Sequence, residues 1–219
     1  MAGEWKMTPP VLLANLPMGG SLMDAVREAM EDDIEVRGLR FSHEELSGMD
    51  GGTLEMSGCR FEHCSFSEID VKRLIFVDCV FEKCEWSNVH LQGAAMQRVR
   101  FENCRMTGLE LLRGTLMNTC FDGCMMDYAS LSETKLDRVY FADCRLRESL
   151  WADAKLLKIR FERSDLTRTQ WIRTPLMGID MSTSVIAGWN ISLFDLRGMK
   201  VNASQVIELS PLLGVEIVP

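Results

Sequence analysis

From Phe41 to Val206 every fifth residue is apolar, in one unbroken register of 34 positions whose only exception is Gly51. Hydrophobic residues make up 47% of the chain, so chance does not produce this run. A period of five matches neither the 3.6 of an amphipathic helix nor the 2.0 of an ordinary strand. It marks a repeat architecture, in which each short unit buries its apolar side only by stacking on its neighbours. Two residues before each of these centres lies a second selected position, which favours small side chains. It holds Cys59, Cys64, Cys79, Cys84, Ala94, Cys104, Gly114, Thr119, Cys124, Ala129 and Thr134, then continues through Cys144, Ser149, Ala154, Ser164, Thr169 and Thr174.

A longer period lies over the short one. Phe41, Phe61, Phe81, Phe101, Phe121, Phe141 and Phe161 stand twenty apart. Cys64, Cys84, Cys104, Cys124 and Cys144 follow the same spacing and give way to Ser164 and Ser184, and Leu116, Leu136, Leu156, Leu176 and Leu196 form a third series. Four five-residue units therefore make one coil. Successive coils at the ~4.8 Å strand spacing bring like residues into columns, and about eight and a half coils give a rod of about 40 Å.

One large and one small inward residue in every five, with polar residues between, resembles the pentapeptide-repeat family, whose motif reads A(D/N)LXX. Asp165-Leu166-Thr167 and Phe194-Asp195-Leu196-Arg197-Gly198 carry the likeness most clearly. The resemblance implies an all-β fold, a right-handed quadrilateral parallel β-helix over residues 39–202. Residues 1–38 then form an N-terminal segment, in which Ser21–Asp33 reads as a short amphipathic helix with a Ser21 N-cap that plugs the open first coil. Ser47-Gly48-Met49-Asp50-Gly51-Gly52 suggests a loose or looped first coil.

Residues 203–219 form a tail of different composition. Val201-Asn202-Ala203-Ser204-Gln205, followed by Leu209, Leu213-Gly214-Val215 and Ile217-Val218, is similar to the tail of the Qnr quinolone-resistance proteins. The likeness implies a short helix, a strand and a head-to-head homodimer. Pro211 departs from it and should end the helix at about Leu209 or Ser210. The dimer contacts expected from this end are Trp189, Phe194, Leu209, Leu212, Leu213, Val215 and Ile217.

The formal net charge of −8 is unevenly spread: residues 1–50 carry −6, residues 51–219 carry −2, and residues 131–175 carry +3. One column is acidic, formed by Glu62, Glu82, Glu102, Asp122 and Glu162 with Ala142 as its gap, and Arg60, Arg100 and Arg160 precede it by two residues. These carboxylates read either as a phosphate-like array for a protein that binds DNA or as a cross-paired charge ladder. Seven of the eight cysteines sit at the small inward position, Cys120 being the other, and read as reduced buried hydrophobes set by the coil rather than by a metal.

Residues 1–20 lack a charged segment followed by a long apolar run, so no secretory leader is expected, nor any membrane span, and the cytoplasm is the expected compartment. No nucleophile motif, phosphate loop or paired acid and base suggests an enzyme, and no cofactor is expected. The three histidines are His43, His63 and His90; His43 and His63 stack beside Glu62, a weak basis for a metal site. The resemblance to Qnr-type and MfpA-like proteins implies a non-enzymatic protein that binds DNA gyrase or topoisomerase IV as a DNA mimic and protects it from quinolones. It implies no direct contact with nucleic acid. The alternative is a general protein-binding scaffold.

Overall fold

A computed structural model describes residues 6–214 of the chain. It is the expected four-sided parallel β-helix. The main sheet runs through Val36–Arg37, Thr53–Ser57, Arg73–Glu82, Ala95–Glu102, Thr115–Asp122, Lys135–Ala142 and Lys155–Glu162, each strand parallel to the next. Register is the twenty-residue period itself: Phe101 faces Phe81 on one side and Phe121 on the other, and Phe141 faces Phe161. Between sides the chain turns through residues with left-handed backbone, from His43 (φ 59°) to Arg173 (φ 48°). Such non-glycine corners persist because the ladders on both sides over-determine them.

The interior is built of columns. Successive phenylalanine rings from Phe41 to Phe161 lie 4.7–5.5 Å apart and within 13° of parallel. Phe66 stacks on Trp86 at 3.9 Å and Trp151 on Trp171 at 5.0 Å, and their edges meet the phenylalanine column. All eight cysteines are free thiols and buried. In the column from Cys84 to Cys144 each thiol donates to a backbone carbonyl 23 residues earlier, as Cys104 does to the oxygen of Phe81 at 3.4 Å. Ser164 keeps that bond to Phe141, so an alcohol of similar size replaces the thiol without changing the plan.

Both ends are closed, by different chemistry. At the N-terminal end Gly19 lies over Phe41, where an added Cβ would meet the ring at 2.3 Å, so only glycine permits that approach. Helix α1, Leu22–Glu31, follows; Ser21 Oγ accepts from the Asp24 amide, and Leu22, Val26 and Ala29 are buried against the first coils. At the C-terminal end Asn202 and Gln205 make a reciprocal capping box for helix α2, Ala203–Leu209. Gln205 Nε2 donates to the carbonyls of Met181 and Ser184, both at 2.7 Å, and so satisfies a sheet edge that would otherwise be left open. The helix stops at Leu209, as Pro211 requires, and a 3-10 turn over Ser210–Leu213 leads to left-handed Gly214.

The first coil corrects one expectation. Glu45–Asp50 is not loose: it is a six-residue strand with Leu46 and Met49 buried, paired in register with Ser65–Asp70. Gly51 and Gly52, at φ 68° and 62°, serve only as the corner after it.

Candidate interaction surfaces

The acidic column lies on one side of the rod and is cross-paired. Arg60 bridges Glu62 in its own strand at 2.7 Å and Glu82 on the next coil at 2.6 Å. Arg100 repeats the device with Glu102 at 2.6 Å and Asp122 at 3.1 Å, and Arg40 reaches Glu62 at 2.5 Å. Glu162 accepts from the Tyr140 hydroxyl and pairs with Arg163. Burial pushes the Glu62 carboxyl up, but Arg40 and Arg60 together hold it below its ordinary value. The Tyr140 hydroxyl, with Arg163, does the same for Glu162. The spacing brings these five carboxylates together as expected, yet the guanidiniums largely neutralise their field.

A second set of charge pairs lies at the corners. At the left-handed corners, residues twenty apart stack Arg98 on Asp78 at 2.6 Å, Arg163 on Asp143 at 2.7 Å and Arg173 on Asp153 at 2.5 Å. In each case the arginine lowers the aspartate pKa. The signal is present in the sequence as opposite charges at a separation of twenty. His43 and His63 do stack, with rings 4.8 Å apart, but among the described residues no cluster of metal-binding side chains surrounds them. His90 pairs instead with Glu110 at 2.9 Å, in a shallow groove that Asp50, Asp70, Lys72 and Arg113 also line. Burial pushes the Cys120 thiol up to about 11, which leaves it a poor nucleophile at neutral pH.

The C-terminal end exposes apolar side chains. Phe194 is 68% exposed, Ile207 61% and Leu213 62%, with Leu193 and Val206 beside them. Leu209 and Leu212 are half-buried against the core. Trp189 is not on this surface: it turns inward, 6% exposed, and its indole donates to the Leu166 carbonyl at 2.7 Å. Its ring packs against Trp171, with centroids 5.3 Å apart. Val215 and Ile217 lie outside the described residues.

Residues 6–20 hold a feature that no periodicity announced. The segment from Thr8 to Met18 lies along one corner of the rod. The Thr8 amide donates to Asn118 Oδ1 at 3.1 Å and the Val11 amide to Asp78 Oδ1 at 2.9 Å. Those anchors are two coils apart, ~10 Å, which three extended residues span at ~3.3 Å each. Farther along, the Pro17 carbonyl accepts from Arg40, and Gly38 and Gly58 leave room for Leu13.

Together these features define a β-solenoid with binding faces, grooved only shallowly and closed at both ends. Its sequence matches the profile of the pentapeptide repeat region over residues 54–111 and 94–171, and the chain belongs to the pentapeptide-repeat family. Among the solved structures to which the chain is similar are the following two. One is a trypsin-treated QnrB1, a plasmid-mediated fluoroquinolone resistance protein, with 19% identity over 84% of this chain and 90% of that one and a TM-score of 0.39. The other is HetL from the cyanobacterium Nostoc sp. strain PCC 7120, a pentapeptide repeat protein involved in heterocyst differentiation regulation. It shows 15% identity over 76% and 86% of the two chains, with a TM-score of 0.40. No curated protein matches the sequence. Among the described residues no helix is long and apolar enough to cross a membrane.

Proposed function

We propose that the protein is a non-enzymatic, cytoplasmic interaction protein that binds a type II topoisomerase, DNA gyrase or topoisomerase IV, and shields it from quinolones. The observation that carries this reading is the rigid column of carboxylates at one coil rise, Glu62 to Asp122, on a straight scaffold. A preordered array of that kind can enter a basic DNA-binding saddle without losing side-chain and backbone freedom on binding. The exposed C-terminal apolar end supports a head-to-head homodimer, since a monomer rarely leaves such a patch uncovered. Two rods of about 40 Å with their caps would span roughly 80–100 Å, a length suited to a bound DNA segment. Eight reduced thiols fit a reducing compartment.

The deciding experiment is a gyrase supercoiling and cleavage assay with and without a quinolone. Protection from drug-induced cleavage is expected, weakened by added salt and by Glu82→Lys with Glu102→Lys. No effect at a large molar excess would exclude the topoisomerase. A second reading, a general protein-binding scaffold with another partner, is favoured by one observation: the arginines that cross-pair the acidic column leave it little net charge.

A further inference from the structure

The corner column on which residues 8–18 lie continues past them. Its members at twenty-residue spacing are Gly38, Gly58, Asp78, Arg98, Asn118, Arg138, Lys158, Gly178 and Gly198, and all of them except Lys158 have left-handed backbone. At Lys158 the ladder slips: Asp137 pairs with Lys158 rather than with Leu157, and register recovers at Val139 and Ile159. A bulge of this kind re-aims a side chain. Beside the bulge Leu157, at an outward position, is 74% exposed, and Met177 on the next coil is 74% exposed as well.

Cations frame this apolar pair. Lys135 and Lys155 are stacked register partners on the same side of the rod, and Lys158 stands at the corner. Among the described residues none of the three lysines has an ion-pair partner, although the rod pairs most of its arginines. Arg138 joins the two stretches of the column: its Nε donates to the same Asn118 Oδ1 that anchors Thr8, and its other end pairs with Asp137 at 2.8 Å. Up to Asn118 the corner offers backbone N–H two acceptors, Asp78 and Asn118, with Arg98 between them turned onto Asp78; beyond it the corner side chains are the donors Arg138 and Lys158.

We infer that the side of the rod bearing Lys135, Lys155, Leu157, Lys158 and Met177 docks an extended acidic peptide of a partner protein, laid along the axis in line with the chain's own N-terminal segment. The segment from Thr8 to Met18 demonstrates the geometry, an extended chain following the corner. The switch to donor side chains selects carboxylates in place of amides. Leu157 and Met177, one coil apart, offer seats for apolar side chains between the acidic ones, and that separates the surface from a plain polyanion site. Charge complementarity and apolar contact act together. The surface meets the acidic column across the Lys158 corner, in the same strand as Glu162, and its test does not depend on the topoisomerase reading.

The test is fluorescence anisotropy with the full chain and a short labelled peptide in which glutamates and aspartates flank two leucines. Saturable binding is expected, lost when lysines replace the acidic residues of the peptide. Lys155→Glu with Lys158→Glu should weaken it tenfold or more, and Leu157→Ser severalfold. All three positions are exposed, so unchanged thermal unfolding is expected to accompany the loss. Equal peptide affinity in the wild type and both variants overturns the proposal. So does tighter binding of a DNA duplex, or of vesicles rich in phosphatidylserine, that Leu157→Ser leaves unchanged.

Discussion

Between Asn118 and Arg138 the outside of the rod changes while its inside does not. On both sides of that point arginines clasp carboxylates of neighbouring coils, but only on the N-terminal side does the segment from Thr8 to Met18 cover a corner. On the C-terminal side Lys135, Lys155 and Lys158 have no ion-pair partner among the described residues and stand around Leu157 and Met177, and the last coil ends in exposed Phe194, Ile207 and Leu213. Yet the phenylalanine column passes from Phe121 to Phe141 at 4.8 Å without a break. Interior and exterior are therefore specified separately. Packing demands one large and one small inward residue per unit, and the three outward positions are free to carry recognition.

The largest expected effect lies in the shared interior. Phe101 is held between Phe81 and Phe121, at 4.8 and 5.0 Å, with the edge of Trp86 beside it. Phe101→Ala should cost about 3–5 kcal/mol in urea unfolding, the range for a buried aromatic truncated in a close-packed core. Phe194→Ala, at an exposed ring, should leave the unfolding of the isolated chain within about 0.5 kcal/mol of wild type. Similar losses at the two sites would mean that the ring column does not hold the rod together.

The contrast between inside and outside also explains what the sequence disclosed. The column residues were legible because burial imposes a strict period, and so were the Ser21 cap and the stop at Pro211, because each depends on its immediate neighbours. The N-terminal segment was not, since it has no periodicity. It is held by two backbone amides donating to side chains 110 and 67 residues away. The direction of Trp189 was equally hidden, because a large residue at a small position can be expelled or can widen the coil. The acidic column and its cross-pairing by Arg60 and Arg100 were both legible in the spacing, whereas the Tyr140 and Arg163 partners of Glu162 were not.

The next effect concerns the exposed end. If it joins two chains, Ile207→Glu with Leu213→Glu should weaken association roughly a hundredfold, about 2.7 kcal/mol, with little change in the circular dichroism of each chain. Sedimentation equilibrium reads this directly. A wild-type chain that remains monomeric at tens of micromolar would refute the dimer.

A smaller pair of effects should differ in sign within the interior. Thr119 sits between Val99 and Val139 in register, fully buried, and among the described residues its hydroxyl has no hydrogen-bond partner. Thr119→Val removes an unsatisfied polar group at constant shape and should stabilise by about 1 kcal/mol. The Thr134 hydroxyl donates to the Leu111 carbonyl at 2.7 Å. Thr134→Val should therefore destabilise by about 1 kcal/mol. Chemical denaturation of the two variants measures both, and a matching sign would contradict the assigned hydrogen bonds.

The smallest expected effect sharpens the boundary at Asn118 itself. Of the two side chains that anchor the N-terminal segment, Asp78 titrates and Asn118 does not. Arg98, through its side-chain hydrogen bonds, is the main reason the Asp78 carboxyl lies below its ordinary value, and the Val11 amide adds to it. A depressed folded pKa means that the contribution is fully present above the unfolded value, about 3.9. It is lost as pH falls through the lower folded value. Below about pH 4 the Val11 amide should accordingly lose protection from hydrogen exchange severalfold, relative to its intrinsic rate at each pH. The Thr8 amide, on Asn118, should change less over the same interval. Asp78→Asn keeps an acceptor oxygen and removes the charge, so the pH dependence at Val11 should vanish while measurable protection remains. Equal responses at Thr8 and Val11 would mean that the segment is released as a unit by some other titration.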